Sequence, residues 1–213
     1  MTKEKWIDIL KTFVFAILAG VAISIGCIAN LASTNAVVGA IFFCVGLFTI
    51  LIFDFNLFTG KLCYTFDNKP KYLLKLLLIL AGNFVGANIT GLLLNLTRLV
   101  SLKEKCIVLV DAKLGDNLLS LFILGVLCNI LIYIAVEGFK SENNVVKFLS
   151  LIFGVSVFVL CGFEHCVADM FYFAFAMNYS GQMFLSLFII ILGNFVGGAL
   201  IHLLRKVFTK KNN

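Results

Sequence analysis

The sequence contains few charged residues and a single proline. Charged side chains make up 13% of its 213 residues, against roughly a quarter in a soluble domain. Hydrophobic residues reach 62%, and the mean hydropathy is +1.08. A chain this poor in charge indicates a polytopic membrane protein. Because the only proline, Pro70, lies in a short connection, any break inside an apolar segment must rest on glycine and local polar groups.

The sequence also lacks a Cys-x-x-Cys pair, a soluble domain and a recognisable cleavage site for a signal peptide. Most of the seven cysteines fall inside apolar runs, where a free thiol behaves as a small hydrophobic group. We therefore expect no metal and no cofactor. The net charge of +6 does not indicate a nucleic-acid partner, since no soluble domain is present to carry a basic groove.

A helix that crosses the bilayer needs about 20 mostly apolar residues, and six segments satisfy this requirement. They are approximately Thr12–Ala32, Ala36–Thr59, Tyr72–Thr97, Leu118–Val136, Val145–Phe175 and Met183–Leu204. The connections between them are short, apart from residues 98–117. The sequence thus predicts a single integral membrane domain over residues 1–213, with the lipid bilayer around it.

Lysine and arginine are unevenly distributed over the connections. If both termini lie in the cytoplasm, thirteen of the 17 lie inside, including Lys210 and Lys211 near the C-terminus. The four that lie outside are Arg98, Lys103, Lys105 and Lys113. Since positive charge favours the cytoplasmic side, the sequence predicts a multi-pass protein of the inner (cytoplasmic) membrane with both termini in the cytoplasm.

The pentapeptide Gly-Asn-Phe-Val-Gly occurs twice, at residues 82–86 and 193–197. The two copies lie in the third and sixth apolar segments. A face of small residues favours close packing between membrane helices. Its occurrence at matching positions also indicates an internal repeat.

Each pentapeptide follows an apolar segment with a polar, glycine-containing interruption, at residues 56–60 and 162–165. Two halves of three spans, about 1–100 and 113–208, would insert with opposite topology and form an inverted repeat. The second and fifth spans are then broken helices. In such proteins the substrate site lies near the middle of the bilayer, where the broken helices meet.

Three ionisable side chains, Glu164, His165 and Asp169, lie in the middle of the apolar segment 145–175. A charge at the bilayer centre costs about 2.5–3.5 kcal/mol on insertion scales. These side chains must therefore face the protein interior, a water-filled pathway or each other. A buried histidine can simply be bonded to a backbone carbonyl, but an intramembrane position indicates function. Glu164 is expected to accept hydrogen bonds from backbone N–H groups that the break leaves free.

These residues resemble the formate/nitrite transporter family of pentameric anion channels. The segment GFEHCVADM at residues 162–170 is similar to the family's GFEHxxANM, and LFTG at residues 57–60 looks like its LFTG or LFTS break. The segment GVLCN at residues 125–129 is similar to its GxLxN segment. Lys113 precedes Gly125 by the twelve residues that separate the family's pore lysine from this segment.

The resemblance implies an all-α polytopic membrane protein, an aquaporin-like six-helix bundle with one pore in each protomer of a homopentamer. It assigns His165 as the central histidine, Thr59 as the break threonine that faces it, and Asn129 as the pore-side amide of the fourth span. Thr59 can also cap a half-helix. Lys113 would fold back from the long exterior connection into the pore. The family's apolar constrictions fall on Phe43, Leu47, Leu57 and Phe158, with Ile132 nearby.

The chain departs from the family pattern at three acidic positions. Asp169 stands where the family usually has asparagine, and an ionised acid close to the pore would oppose an anion and favour a protonated His165. Glu137 stands where an aromatic residue is common, and Asp54 is a further acid before the first break. These differences bear on the substrate more than on the fold.

The sequence therefore predicts a channel or channel-like transporter, not an enzyme, for small monovalent weak-acid anions: formate, nitrite or hydrosulfide. Apolar constrictions would exclude hydrated ions. Lys113 would attract the anion, and Thr59 and His165 would replace its water. Proton transfer to the anion would give a neutral acid that crosses the apolar constriction at lower cost.

Two other functional classes share parts of this pattern. A channel for water or glycerol would share the aquaporin-like architecture, but the sequence lacks paired Asn-Pro-Ala boxes. An intramembrane enzyme or redox protein would use Cys161, His165 and Cys166. The two cysteines are five residues apart, so they point to different faces of a helix, which disfavours a shared metal.

Overall fold

The computed structural model describes residues 3–209, and all regular secondary structure in that part of the chain is helical, including two short 3-10 turns, Thr65–Asp67 and Arg98–Leu102. The α-helices are α1 (Lys3–Ala32), α2 (Ala36–Phe53), α3 (Phe58–Leu62), α4 (Tyr72–Leu94), α5 (Lys103–Gly115), α6 (Leu118–Gly138), α7 (Asn144–Leu160), α8 (Cys166–Ala176) and α9 (Gly181–Thr209). Lys210 and Lys211, which contribute to the predicted charge asymmetry, lie outside the described residues.

Five of these helices, α1, α2, α4, α6 and α9, are long and apolar enough to cross a membrane. The predicted fifth span, Val145–Phe175, consists instead of two shorter apolar helices, α7 with 17 residues and α8 with 11. Large apolar side chains cover the outer surface; Leu74 and Leu119, for example, are 70% and 67% exposed. Such a surface suits lipid and not water, so the protein is a multi-pass membrane protein.

Both interruptions end their helices with a residue of positive φ. At the end of α2, Asp54 adopts a left-handed conformation with φ 49°, and its N–H bonds the carbonyl of Ile50. At the end of α7, Gly162 has φ +67°, a conformation that costs little only for glycine. The chain then continues through residues 54–57 and 161–165 outside any helix before α3 and α8 begin.

The repeated pentapeptide brings two pairs of helices into close contact. A Cβ atom on Gly86 of α4 would lie 2.1 Å from the carbonyl oxygen of Ile17 on α1. A Cβ atom on Gly197 of α9 would lie 2.1 Å from the carbonyl oxygen of Val126 on α6. Only glycine permits these two backbone approaches, which join α1 to α4 and α6 to α9.

Candidate functional site

The two interrupted segments meet at a hydrogen bond between Thr59 and His165. Thr59 lies on α3, and His165 is the residue that caps the start of α8. The Thr59 Oγ1 and His165 Nε2 atoms are 3.0 Å apart, and the two residues are 0% and 1% exposed. His165 Nδ1 accepts the N–H of Ala168 at 3.2 Å. A neutral imidazole with this bond carries its proton on Nε2, so His165 donates to Thr59, whose own hydroxyl hydrogen remains available.

Asn83 on α4 holds the first interruption in place. Its Oδ1 accepts the N–H of Phe58 at 2.8 Å, where α3 begins. Its Nδ2 donates to the carbonyl oxygens of Asn56 at 2.9 Å and Ala16 at 2.7 Å. This fully buried amide thus replaces hydrogen bonds that the broken helix lacks.

Asn194 on α9 does the same for the second interruption. Its Oδ1 accepts the N–H of Cys166 at 3.0 Å, and its Nδ2 donates to the carbonyl oxygens of Glu164 and Gly125, both at 2.8 Å. Asn83 and Asn194 are the asparagines of the two pentapeptides. The sequence predicts that the pentapeptide is a packing face and a repeat, but it does not predict this supporting role. The signal was an asparagine at the same place in two apolar helices, where an unpaired amide would be costly.

A cavity of about 310 Å³, here called the wide cavity, approaches this site from one side. Leu47 and Leu57, two of the predicted constriction residues, line it together with charged and aromatic side chains near its opening. The other lining residues are Ile50, Leu51, Asp54, Phe55, Gly60, Lys61, Tyr64, Val136, Phe139 and Lys140.

A smaller cavity of about 80 Å³, here called the narrow cavity, includes His165 itself in its wall. Phe43 and Phe158, the other two predicted constriction residues, line it as well. The Phe158 ring is stacked on the His165 ring, with centroids 5.6 Å apart and planes 17° apart, and meets the Phe43 ring edge-on at 5.6 Å. Ile132 is buried on α6 and is not among the described residues that line either cavity.

Lys113 reaches the narrow cavity from α5, but its ammonium group is paired with two carboxylates. Its Nζ contacts Glu164 Oε2 closely and lies 3.0 Å from Asp169 Oδ1. The three side chains are 12%, 5% and 1% exposed. The positive charge that the sequence predicts will attract an anion is therefore shared with two carboxylates.

The role expected for Glu164 also needs correction. Its carboxylate bonds the Lys113 ammonium, whereas Asn194 binds the backbone groups freed by the break. The Asp169 carboxylate pairs with Lys113 on the same wall of the narrow cavity as His165. The Glu164 carboxylate thus pairs with Lys113, 51 residues earlier in the chain, and not with the free backbone N–H groups. A buried carboxylate is stabilised more by an opposite charge than by a backbone dipole.

Asn129 lies on α6 directly behind Thr59. Its Nδ2 donates to the Thr59 carbonyl oxygen at 3.2 Å and to Cys63 Sγ at 3.6 Å. Its Oδ1 is buried without a hydrogen-bond partner among the described residues. The amide therefore fixes the backbone of α3 at the residue that faces His165.

The cysteines near the site are not arranged as a ligand set. Cys161 is exposed at the end of α7, whereas Cys166 is fully buried on α8. Within residues 3–209, no group of three or more His, Cys, Asp or Glu side chains is placed to hold a metal ion.

A polar network lies near the opening of the wide cavity. The Tyr64 hydroxyl donates to Glu137 at 2.5 Å, and Glu137 also contacts Lys140 and Arg205. Burial, reinforced by the Glu137 hydrogen bond, raises the pKa of Tyr64 well above its usual range. Glu137, an acid at a position where the family commonly has an aromatic residue, thus ties the α3–α4 connection to α6 and α9.

A second ion-pair group adjoins this network. Asp67 contacts Lys206 and accepts from His202 Nε2 at 2.6 Å, while His202 Nδ1 lies 3.2 Å from the Tyr133 hydroxyl. Hydrogen bonds from Lys206 and then His202 hold the pKa of Asp67 below its usual value. His202, the other histidine of the chain, therefore serves the end of α9 and lies away from the narrow cavity.

Three relatives are similar to this chain. It is 25% identical over 189 residues to the formate channel FocB of Escherichia coli K12, with 79% of this chain and 67% of that protein covered. It is 28% identical over 183 residues to the uncharacterized transporter YrhG of Bacillus subtilis 168, covering 78% and 69%. It is 28% identical over 187 residues to the formate channel FocA of Escherichia coli K12, covering 76% and 65%. The matches thus span about two thirds of each relative.

Two solved structures share the fold. One is described as a pentameric formate channel with formate bound, with a TM-score of 0.82 at 23% identity, covering 98% of this chain and 99% of that one. The other is described as an FNT family ion channel, with a TM-score of 0.79 at 23% identity, covering 94% and 90%. A family profile described as formate/nitrite transporter matches residues 1–208. This protein belongs to the formate/nitrite transporter family.

Proposed function

We propose that the protein is a channel or channel-like transporter for small monovalent weak-acid anions, with formate, nitrite and hydrosulfide as the expected substrates. The observation that carries this proposal is the buried Thr59–His165 hydrogen bond between the wide and narrow cavities. Membership of the family and the formate channels among the relatives support it. The function requires no covalent chemistry, so the protein is not expected to be an enzyme.

The proposed assembly is a homopentamer of aquaporin-like protomers, each with six spans in two inverted halves, about 1–100 and 113–208, and one pore. The fold shared with a pentameric formate channel supports it. Both termini would lie in the cytoplasm, with the wide cavity open to that side. The Lys61 and Lys140 side chains at its mouth agree with an excess of positive charge there.

The proposed selectivity rests on two apolar constrictions around the polar pair. Leu47 and Leu57 form the one next to the wide cavity, and Phe43 and Phe158 the one next to the narrow cavity. A hydrated ion must lose water to pass an apolar constriction. The His165 N–H and the Thr59 hydroxyl would replace that water for a small anion. A neutral acid, formed by proton transfer to the anion, would pass at lower cost.

Asn129 and Lys113, the two remaining residues of the predicted pathway, would support transport from positions beside the Thr59–His165 pair. Asn129 would keep Thr59 in place through its carbonyl bond. Lys113 would supply the positive charge of the narrow cavity, shared with Glu164 and Asp169.

The test is uptake of formate and of nitrite into proteoliposomes under an inward proton gradient, with His165→Phe against His202→Phe. The first change removes the proposed donor and keeps an aromatic ring, so uptake should collapse while the oligomer still assembles. The second changes the other histidine at the end of α9 and should leave a working channel. A His165→Phe protein as active as the parent would overturn the proposal.

Liposome swelling distinguishes the proposed anion channel from a channel for neutral solutes such as water or glycerol. A channel for neutral solutes would give rapid swelling with glycerol and no pH-dependent uptake of formate or nitrite. The proposed anion channel should show the opposite pattern.

A further inference from the structure

We propose that Glu164 and Asp169 hold one proton between them, so that the Lys113–Glu164–Asp169 cluster is a proton-binding site in the wall of the narrow cavity. The inference deepens the proposed function and its transport consequence rests on it. The site itself is a property of three side chains and can be tested without any transport.

The charge count of the cluster is the first reason. One ammonium group faces two carboxylates, and all three side chains are almost fully buried. With every group ionised, the cluster would carry one net negative charge inside the membrane, which is costly. Both carboxylates lie within contact distance of a single Nζ atom, and two such groups that share a buried site are not both ionised.

The second reason is an unpartnered oxygen. Asp169 Oδ1 accepts from Lys113, but Asp169 Oδ2 is buried without any hydrogen-bond partner among the described residues. A bare carboxylate oxygen in an apolar interior loses the hydration that stabilises its charge, whereas a protonated one loses much less. The geometry therefore places the proton on Asp169 Oδ2. Asp169 Oδ1 and the Glu164 carboxylate then face the Lys113 ammonium group.

Within residues 3–209, Lys113 is the one positively charged side chain within 4 Å of the Asp169 carboxylate. The neighbouring titratable groups, besides Lys113 and Glu164, are His165, Cys27 on α1, Cys128 on α6, and Cys166 and Tyr172 on α8. His165 is already bonded on both ring nitrogens to Ala168 and Thr59, and thiols and phenols in apolar surroundings are neutral.

The other helices that pack on α8 keep their charges at a distance. Near the wide cavity and the polar network at its opening lie the titratable side chains Lys61, Tyr72, His202, Arg205 and Lys206. Lys75 of α4 lines a separate pocket with Asp8 and Lys11 of α1. On α5, Lys103 donates to Asn95, and Lys105 donates to the carbonyl oxygens of Leu31 and Ser33. Charge neutrality at the cluster therefore requires a proton.

The bound proton sets the charge that an anion meets in the narrow cavity. Lys113, Asp169 and His165 line the same cavity. With the proton bound the cluster is neutral, and the anion can approach His165. Without it the cluster is negative and repels the anion, so uptake should fall as the proton leaves. An asparagine at position 169 would make the cluster neutral at every pH.

The direct test is infrared difference spectroscopy of the purified oligomer, titrated with pH and without substrate. The parent should show the carbonyl stretch of a protonated carboxyl group, which shifts in heavy water. The band should be absent in Asp169→Asn and in Glu164→Gln, because either amide removes one of the two negative charges. A parent without the band at any pH, or a band that persists in both variants, would overturn the proposal.

The transport test compares initial formate uptake at equal pH on both sides for the parent and the two variants. The pH also changes the ionised fraction of formate, but it does so equally in every assay, so this effect cancels in the ratio of variant to parent rate. Above the midpoint of the infrared titration this ratio should rise about tenfold per pH unit. A ratio that is flat across the titration would refute the link to transport. Absence of formate uptake in every protein would instead refute the proposed function and leave the infrared result to decide the proton site.

Discussion

Replacing Phe158 by alanine should open the constriction next to the narrow cavity. Its ring lies between His165 and Phe43, with both ring contacts at 5.6 Å, and is 3% exposed. The change frees roughly 100 Å³, room for about three waters at about 30 Å³ each. The narrow cavity, now about 80 Å³, would more than double in volume and become wet.

The expected gain in leakage follows from the hydrogen bonds that an ion keeps. A polar contact that is lost without replacement costs about 2 kcal/mol or more, and about 1.4 kcal/mol corresponds to tenfold in rate. Retaining a single water contact through the constriction should therefore raise chloride flux by at least about tenfold. Formate flux should rise less, because formate already exchanges its water for Thr59 and His165. Selectivity for formate over chloride falls as a result.

A matched control separates the pore from simple loss of packing. Phe171 on α8 is 0% exposed and also has two aromatic neighbours, Tyr172 at 5.6 Å and Phe175 at 5.9 Å, but it lines neither cavity among the described residues. Each alanine variant should lose about 3–5 kcal/mol of stability, the usual cost of a buried Phe→Ala change.

Only Phe158→Ala should leak chloride in a proteoliposome flux assay. If Phe158→Ala and Phe171→Ala both conduct like the parent, or both leak equally, Phe158 does not form the barrier. Leu57→Ala tests the constriction next to the wide cavity in the same assay.

Three further predictions follow from the support and orientation of the site. Asn194→Ala leaves the buried Cys166 N–H and the Glu164 carbonyl without their side-chain partner, at about 1–3 kcal/mol each, and should lower the melting temperature of the oligomer far more than Asn88→Ala, whose amide is half-exposed. Equal losses would contradict the assigned role. Asp67→Asn should cost roughly 0.2–1 kcal/mol at neutral pH. The partners of Asp67 on α9 lower its pKa in the folded protein. The stability difference between parent and variant should therefore be constant above the pKa of an unfolded aspartate, about 3.9, and vanish as the pH falls through the pKa of Asp67 in the folded protein. A stability difference that persists in acid would refute this prediction. Whole cells in a Cys161→Ser background should label at Asn178→Cys and not at Asn68→Cys; the reverse pattern would invert the proposed topology.

Much of this protein could be predicted from local sequence. The membrane class follows from composition alone, because lipid accepts long apolar helices and little else. The interruptions predicted at residues 56–60 and 162–165 overlap the non-helical stretches 54–57 and 161–165, since a polar, glycine-containing stretch cannot continue an apolar helix at low cost. The family motifs also lie in the sequence itself, and the profile match over residues 1–208 confirms the resemblance.

Tertiary structure alone decided which polar groups meet. Lys113 and Glu164 are 51 residues apart in the chain, and only the packing of α5 against α8 brings them together with Asp169. For the same reason, the pairing of Asn83 and Asn194 with the two breaks was not visible in the sequence. The sequence determined where the helices break and which side chains the membrane will not tolerate unpaired. The fold determined their partners, because hydrogen bonds and ion pairs depend on distances between helices that no local pattern encodes.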